Sequence, residues 1–319
     1  MTTNGRSAPP RPCGEIGFGT TPFVCRGGMT YCQGRPLMRG FGCGQKGCSA
    51  TGERMKRVGP FALMCLGFAL AGSAVAAADL GLDGKLRLLV AAYPETIAGI
   101  EDGRLTFRDG GEPLLIDDGK AKDHFTKLEK GDVEDSLSQD YPVGPCETKP
   151  AVNFDPGRIR SDPLMMRLYG ASAREVERSL VKVAWFGESL RVTKRQGAAA
   201  ALEKVRDELK SKSELKKYLA PSSGTFNWRK VANASNMSVH SFGAAIDINT
   251  KFADYWIWSG GKPGKVPNYA NKFPMAIVDV FERHGYIWGG RWYHYDTMHF
   301  EYRPELIAIA RESGVSPCP

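Results

Sequence analysis

Ser238-Val-His-Ser-Phe-Gly-Ala-Ala-Ile-Asp247 sets a histidine and an aspartate seven residues apart, the second inside a run with strand alternation. In Ala244-Ala-Ile-Asp-Ile-Asn249 that alternation puts Ala245, Asp247 and Asn249 on one face and Ile246 and Ile248 on the other. The isoleucines are predicted to enter the core, so a rigid strand aims Asp247 the other way. Small Ala245 leaves room beside it, and Gly243 is expected to let the turn from His240 pass close to a metal. Downstream, in Trp292-Tyr-His-Tyr-Asp-Thr-Met-His-Phe-Glu301, His299 and Glu301 share a strand face with Met298 and Phe300 opposite. Imidazole and carboxylate donors together suit zinc, and three protein ligands keep a fourth position open, as catalytic sites do. His240, Asp247 and His299 are therefore the predicted ligands of one Zn2+. Singly, His240 reads as a satisfied core histidine and Asp247 as a turn cap; the two together with a later histidine outweigh those readings.

A zinc ion lowers the pKa of a bound water to about 7, and a nearby carboxylate then takes the proton and passes it to a leaving amine. Asp296 is the predicted general base. In a regular strand it points away from His299, so residues 294–298 must turn, which Gly289-Gly290 upstream favours. Glu301 is the alternative base, and His294 is a candidate ligand, acid or donor behind the ligands. A tetrahedral intermediate needs a positive group opposite its oxyanion. Arg229, in Thr225-Phe-Asn-Trp-Arg229, is the first candidate and Arg158, in Asp155-Pro-Gly-Arg158, the second. Tyr255, Trp256 and Trp258 are either core aromatics or the wall of a substrate cleft.

The chain of 319 residues carries a formal charge of +8. Most of that charge sits near the start. Residues 55–78 run from Met-Lys-Arg through an apolar stretch, Val58 to Leu70, into Ala-Gly-Ser-Ala-Val-Ala, the three parts of a secretory signal peptide. The apolar stretch is short of the roughly 20 residues a membrane span requires. Cleavage after Ala76 or Ala78 is expected, and with it export to the periplasm or cell envelope. The 54 residues before Met55 are rich in Gly, Pro and Arg and lack hydrophobic periodicity, so translation is expected to begin at Met55. Cys13, Cys25, Cys32, Cys43 and Cys48 lie there, and Cys43-x4-Cys48 fits no standard zinc spacing. Residues 1–76 hold nine of the 43 Lys/Arg and two of the 35 Asp/Glu, which leaves 34 basic against 33 acidic residues. A nearly neutral mature chain lacks the basic surface that nucleic-acid binding needs. Cys146 and Cys318 remain, and in an oxidising compartment they are expected to pair.

Residues 79–150 are read as an accessory segment, with strands at Leu105–Phe107 and Leu114–Ile116 joined through Asp109-Gly-Gly111. His124 is taken as a solvated residue and Glu129 to Asp140 as a surface face. From Ala171 the spacing of Val176, Leu180, Val183 and Ala184 behind Ser172-x-x-Glu175 predicts a helix that stops at Gly187. A strand at Leu190–Thr193 and helices over Gly197–Leu209, from Pro274 to Gly285 and from Pro304 to Gly314 follow. Mixed helices and strands without regular alternation make the class α+β.

The pattern Ser-x-His-x-x-Gly-x-Ala-x-Asp at 238–247, followed by carboxylate-x-x-His at 296–299, resembles the VanY-like D-alanyl-D-alanine peptidases, a group of carboxypeptidases and L-alanyl-D-glutamate endopeptidases. The resemblance spans roughly residues 155–310. It implies a small antiparallel sheet with flanking helices around a zinc held by His240, Asp247 and His299, in a zinc peptidase domain over 151–319, with peptidoglycan stem peptides as substrate. It makes Arg229 the substrate-binding arginine and has Ser238 orient the turn by hydrogen bonding. Asp at 296, where many carboxypeptidases carry Glu, leans toward the endopeptidase branch. The rival is a non-catalytic zinc-containing binding module of the same fold, as in the hedgehog signalling domain; Asp296 and Arg229 argue against it.

Overall fold

Strand alternation is what places the two halves of the site. In the computed structural model, which describes residues 80–318 apart from 232 and 233, strand pairing sets Asp247 directly opposite His299. Residues 1–54 and the expected signal peptide lie outside the described residues.

In chain order the elements are α1 (Gly81–Ala92), β1 (Ile97–Glu101), β2 (Arg104–Phe107), β3 (Leu114–Leu115), α2 (His124–Lys130), α3 (Val133–Ser136), α4 (Asp162–Tyr169), α5 (Ala173–Glu177), β4 (Leu180–Trp185) and β5 (Glu188–Thr193). After these come α6 (Ala198–Leu209), α7 (Lys216–Leu219), β6 (Ala245–Asp247), α8 (Met275–Arg283), β7 (Tyr286–Trp288), β8 (His299–Tyr302) and α9 (Pro304–Ser313). The strands form antiparallel sheets β1-β2-β3, β4-β5 and β6-β8-β7. The class is α+β, with small antiparallel sheets and flanking helices.

The sheet β6-β8-β7 separates two apolar clusters. Ile246, Phe300 and Trp288 face α6 and α8, where Phe300 stacks on Phe281 with ring centroids 3.9 Å apart. Ala245 and Ile287 belong to the other cluster, with Val239, Phe242 and Leu306. Leu86, Leu89, Tyr93 and Leu105 of the N-terminal segment join that cluster, and α1 packs against α9. Burying such aliphatic and aromatic side chains is worth roughly 1.5–3 kcal/mol each, so residues 80–116 share one core with the strands that carry the ligands. Cys146 is bonded to Cys318 and ties the C-terminus to the loop after α3.

Three sequence expectations change. The helix predicted from Ala171 to Gly187 is the short α5 followed by β4. Leu180, Val183 and Ala184 fit a helical stripe, yet Val183 and Trp185 alternate inward against β5 across a two-residue turn at Phe186-Gly187. Gly187 (φ +104°) serves that hairpin turn and stops no helix. His124 is not a solvated residue, since its side chain is only 12% exposed and its ring stacks on His294. The stretch Glu129 to Asp140 is not wholly a surface face: Asp135 is buried, and Lys122 Nζ bridges it to Asp132 and Asp118.

A candidate metal centre and its cleft

His240 sits in a tight 3-10 turn, Val239–Phe242, that ends at Gly243 with φ +64°. A Cβ at Gly243 would fall 2.6 Å from Leu180 Cδ2 and 3.2 Å from Thr193 N. Glycine is needed there for the left-handed turn and for close packing on the β4-β5 hairpin, not for approach to a metal as the sequence suggested.

His240 Nδ1 lies 3.1 Å from the carbonyl of Thr225, which only accepts, so Nδ1 carries the proton and Nε2 faces inward. Nε2 is 3.1 Å from Asp247 Oδ2 and 3.2 Å from His299 Nδ1. His299 Nδ1 is in turn 2.7 Å from Asp247 Oδ1, while its Nε2 meets Glu301 Oε1 at 3.0 Å. Two inward imidazole nitrogens and a carboxylate thus enclose a place for one cation. In the metal-free protein that cation is a proton: burial works against charge on His299, but Asp247 and Glu301 overcome it and push the ring up to about 10. The set fits a divalent metal, because each imidazole has its outer nitrogen fixed by an acceptor and its inner nitrogen aimed at the shared point.

Glu301, considered as an alternative base, stands behind His299. Burial raises its pKa, and Arg160, His299 and Arg303 outweigh that and bring it down to about 2. Arg160 Nη1 lies 3.7 Å from Glu301 Oε1 and Nη2 donates to Met237 O at 2.9 Å. This buried arginine was missed in the sequence; its partner lies 141 residues downstream and no local pattern joins them.

Asp296 is held as the expected turn required. Its N–H donates to Gly289 O at 3.0 Å, and His299 N–H returns to Asp296 O at 3.2 Å. A Cβ at Gly289 would stand 2.5 Å from Asp296 O, so the glycine makes this approach possible. Asp296 Oδ1 is buried without a hydrogen-bond partner. Burial, with the Asp247 charge adding to it against His299, pushes its carboxyl up to about 6. A half-buried carboxylate with a raised pKa and one unpartnered oxygen, on the wall of the cavity that also holds His240, Asp247 and His299, suits proton transfer.

The remaining candidates divide. Arg229 is exposed, lines the cavity, and its Nη1 donates to Lys230 O at 3.2 Å. Arg158 is half-buried in the same cavity, its guanidinium 5.8 Å from the Trp256 ring centroid. Ser238 lines the cavity, but its side chain makes no capping hydrogen bond; the Ser241 hydroxyl orients the turn instead, accepting from Arg229 N at 2.8 Å and donating to Arg229 O at 2.6 Å. His294 does not join the ligands. Its Nε2 accepts from Gly264 N at 3.0 Å, so Nδ1 carries the proton and donates to Asp155 Oδ2 at 2.7 Å.

That tautomer decides the character of a second His-Asp-His cluster. His124 Nε2 lies 2.9 Å from Asp155 Oδ2, a close approach without hydrogen-bond alignment. His124, Asp155 and His294 are near enough to hold an ion. A metal on His294 Nδ1 would require a proton on Nε2, directed at the Gly264 N–H. The cluster is therefore a polar fastening: burial works against charge on Asp155, and His124 and His294 hold its carboxyl well below the ordinary range.

The cavity, of about 680 Å³, is walled by Tyr255, Trp256 and Trp258 from one loop and by Phe125 and Leu128 from α2. The aromatic loop is thus a cleft wall, although Trp256 is also largely buried while Trp258 is 62% exposed.

Residues 232–302 match the family model described as D-alanyl-D-alanine carboxypeptidase. The match takes in His240, Asp247, Asp296 and His299, and it supports the VanY-like zinc peptidase family and a peptidase of that carboxypeptidase type. No curated protein and no solved structure matches the chain.

Proposed function

We propose, from the match of residues 232–302 to the family model described as D-alanyl-D-alanine carboxypeptidase, that the protein is an exported zinc peptidase that hydrolyses peptidoglycan stem peptides in the cell envelope. The observation that carries this is that Asp296, a carboxylate with one unpartnered oxygen, lines the same cavity as His240, Asp247 and His299, whose inward nitrogens and carboxylate meet at one point.

His240, Asp247 and His299 would hold one zinc ion, which supplies Lewis-acid polarisation and a nucleophile at neutral pH. Asp296 takes the proton of the attacking water and delivers it to the leaving amine, and its raised pKa brings it near the pH at which such a transfer runs in both directions. Glu301 accepts from His299 and keeps the ring turned, while Arg160 and Arg303 keep Glu301 ionised. To Arg229, at the cavity wall, we assign the task of meeting the carbonyl oxygen as negative charge builds on it. The aromatic loop and α2 wall the cleft in which the peptide would lie.

Digestion of purified muropeptides by the zinc-loaded protein, with products read by mass spectrometry, tests this. Release of terminal D-alanine identifies a carboxypeptidase, and release of the peptide from L-alanine identifies an endopeptidase, the branch that Asp at 296 favours. No cleavage by protein that holds a full equivalent of zinc contradicts the peptidase and favours a binding module.

A further inference from the structure

Arg158 ends a loop that is fastened along its length. Phe154 O accepts from Tyr293 N at 2.7 Å, and both Asp155 carboxylate oxygens accept from His294. Pro156 O accepts from the Trp292 indole at 2.7 Å, and Gly157 O accepts from Arg303 at 2.9 Å. Gly157 has φ +87°, and a Cβ there would lie 2.3 Å from Ile287 Cδ1 and 2.9 Å from Leu306 Cδ1. The loop is pressed onto β7 and α9 and cannot be rebuilt with another residue at that point. Such preorganisation fixes a side chain before any ligand arrives.

What the loop delivers is a half-buried guanidinium on the wall of the cavity that holds Asp247, Asp296 and His299. Arg160, two residues on, faces Glu301 at 3.7 Å. Arg158, by contrast, forms no ion pair among the described residues, and its guanidinium lies 5.8 Å from the Trp256 ring centroid. A guanidinium fork with its donors unfilled, in a cleft with low-dielectric aromatic walls, is matched by a carboxylate.

We propose that Arg158 receives a substrate carboxylate borne on the carbon next to the scissile nitrogen. This rests on the peptidase function proposed above and adds its substrate requirement. Both candidate bonds supply that group. A terminal D-alanine carries its carboxylate one carbon from the scissile nitrogen, and a D-glutamate joined onward through its side chain carries a free α-carboxylate at the same place. Such an anion entering beside Asp247 and Asp296 meets repulsion, which Arg158 offsets while holding the leaving residue in register with Asp296. The arginine lies outside the segment that matches the family, so the first part of the chain supplies a specificity contact to a site assembled by the second.

The test gives the zinc-loaded protein four peptides: a stem peptide ending in D-Ala-D-Ala and its C-terminal amide, and an L-Ala-γ-D-Glu peptide with the α-carboxylate free or amidated. Wild type is expected to prefer the acid over the amide roughly 10- to 100-fold in kcat/KM on the bond it cuts, the range for a hydrogen bond to a charged group. Arg158→Gln removes that preference, mainly through KM, and Arg158→Lys restores part of it, with zinc content unchanged in both. An acid-to-amide ratio near one in wild type, or equal in wild type and Arg158→Gln, overturns the assignment while leaving the peptidase intact. Failure of fully zinc-loaded wild type to cut any of the four overturns the peptidase reading and this inference with it. The acid-to-amide comparison in wild type needs no variant to fold.

Discussion

His240 Nε2 and His299 Nδ1 lie 3.2 Å apart with the two oxygens of Asp247 alongside, so a single cation fits between them. Without metal, the proton on His299 takes that role. Zinc must displace it, because a metal ligand nitrogen is deprotonated. At pH 7 to 8, below the value of about 10 that Asp247 and Glu301 impose on His299 against its burial, zinc binding is expected to release about one proton per ion. Calorimetric titrations in buffers of different ionisation enthalpy measure it directly, and binding with no proton release contradicts the geometry.

The same histidine links pH to stability in the metal-free protein. Its folded pKa is raised above the unfolded value near 6.5, so its contribution is complete below that value and is lost as pH rises through about 10. Melting temperatures of chelator-treated protein should fall over that window, and His299→Ala should show a smaller fall.

Asp296 carries the opposite sign. Burial raises its carboxyl to about 6, so the ionised group destabilises the metal-free fold. That cost is absent below the unfolded value near 4 and complete above about 6. Asp296→Asn is therefore expected to be more stable than wild type at pH 7, by on the order of 2–3 kcal/mol, and no more stable at pH 3.5. Denaturant unfolding at the two pH values checks it; an equal gain at both would show that ionisation is not the cause.

The second His-Asp-His cluster should behave as a fastening. Asp155 accepts from His294 N and Nδ1 in a buried setting, and its removal leaves those donors unpaired. Asp155→Ala is expected to cost about 1–3 kcal/mol for each buried donor left unpaired. His294→Ala should keep one zinc per chain, read by elemental analysis. Loss of zinc from His294→Ala would reassign that cluster as a metal centre.

Much of the site was legible because its signals are local. His240 and Asp247 are seven positions apart, and period-two alternation sends Ile246 and Phe300 to one face and Asp247 and His299 to the other. Asp296 was legible as a requirement for a turn, and Gly289 is the residue that permits it. What escaped depends on distant partners. Arg160 meets Glu301, and Asp155 meets His294, across 139 residues or more. Nothing near His124 in sequence shows that its ring packs on His294. The misread helix at 171–187 had a true cap at Ser172, which starts α5. The apolar spacing after it fits a stripe of either period, and pairing with β5 decided for the strand.

We assign His240 to the metal and Asp296 to the chemistry. The most direct measurement is zinc content and turnover on muropeptides, side by side, for wild type, His240→Ala and Asp296→Asn. His240→Ala is expected to lose both zinc and turnover. Asp296→Asn should keep one zinc per chain and lose turnover by about 100-fold or more. Equal zinc loss in the two variants, or full turnover in Asp296→Asn, would contradict the assignment.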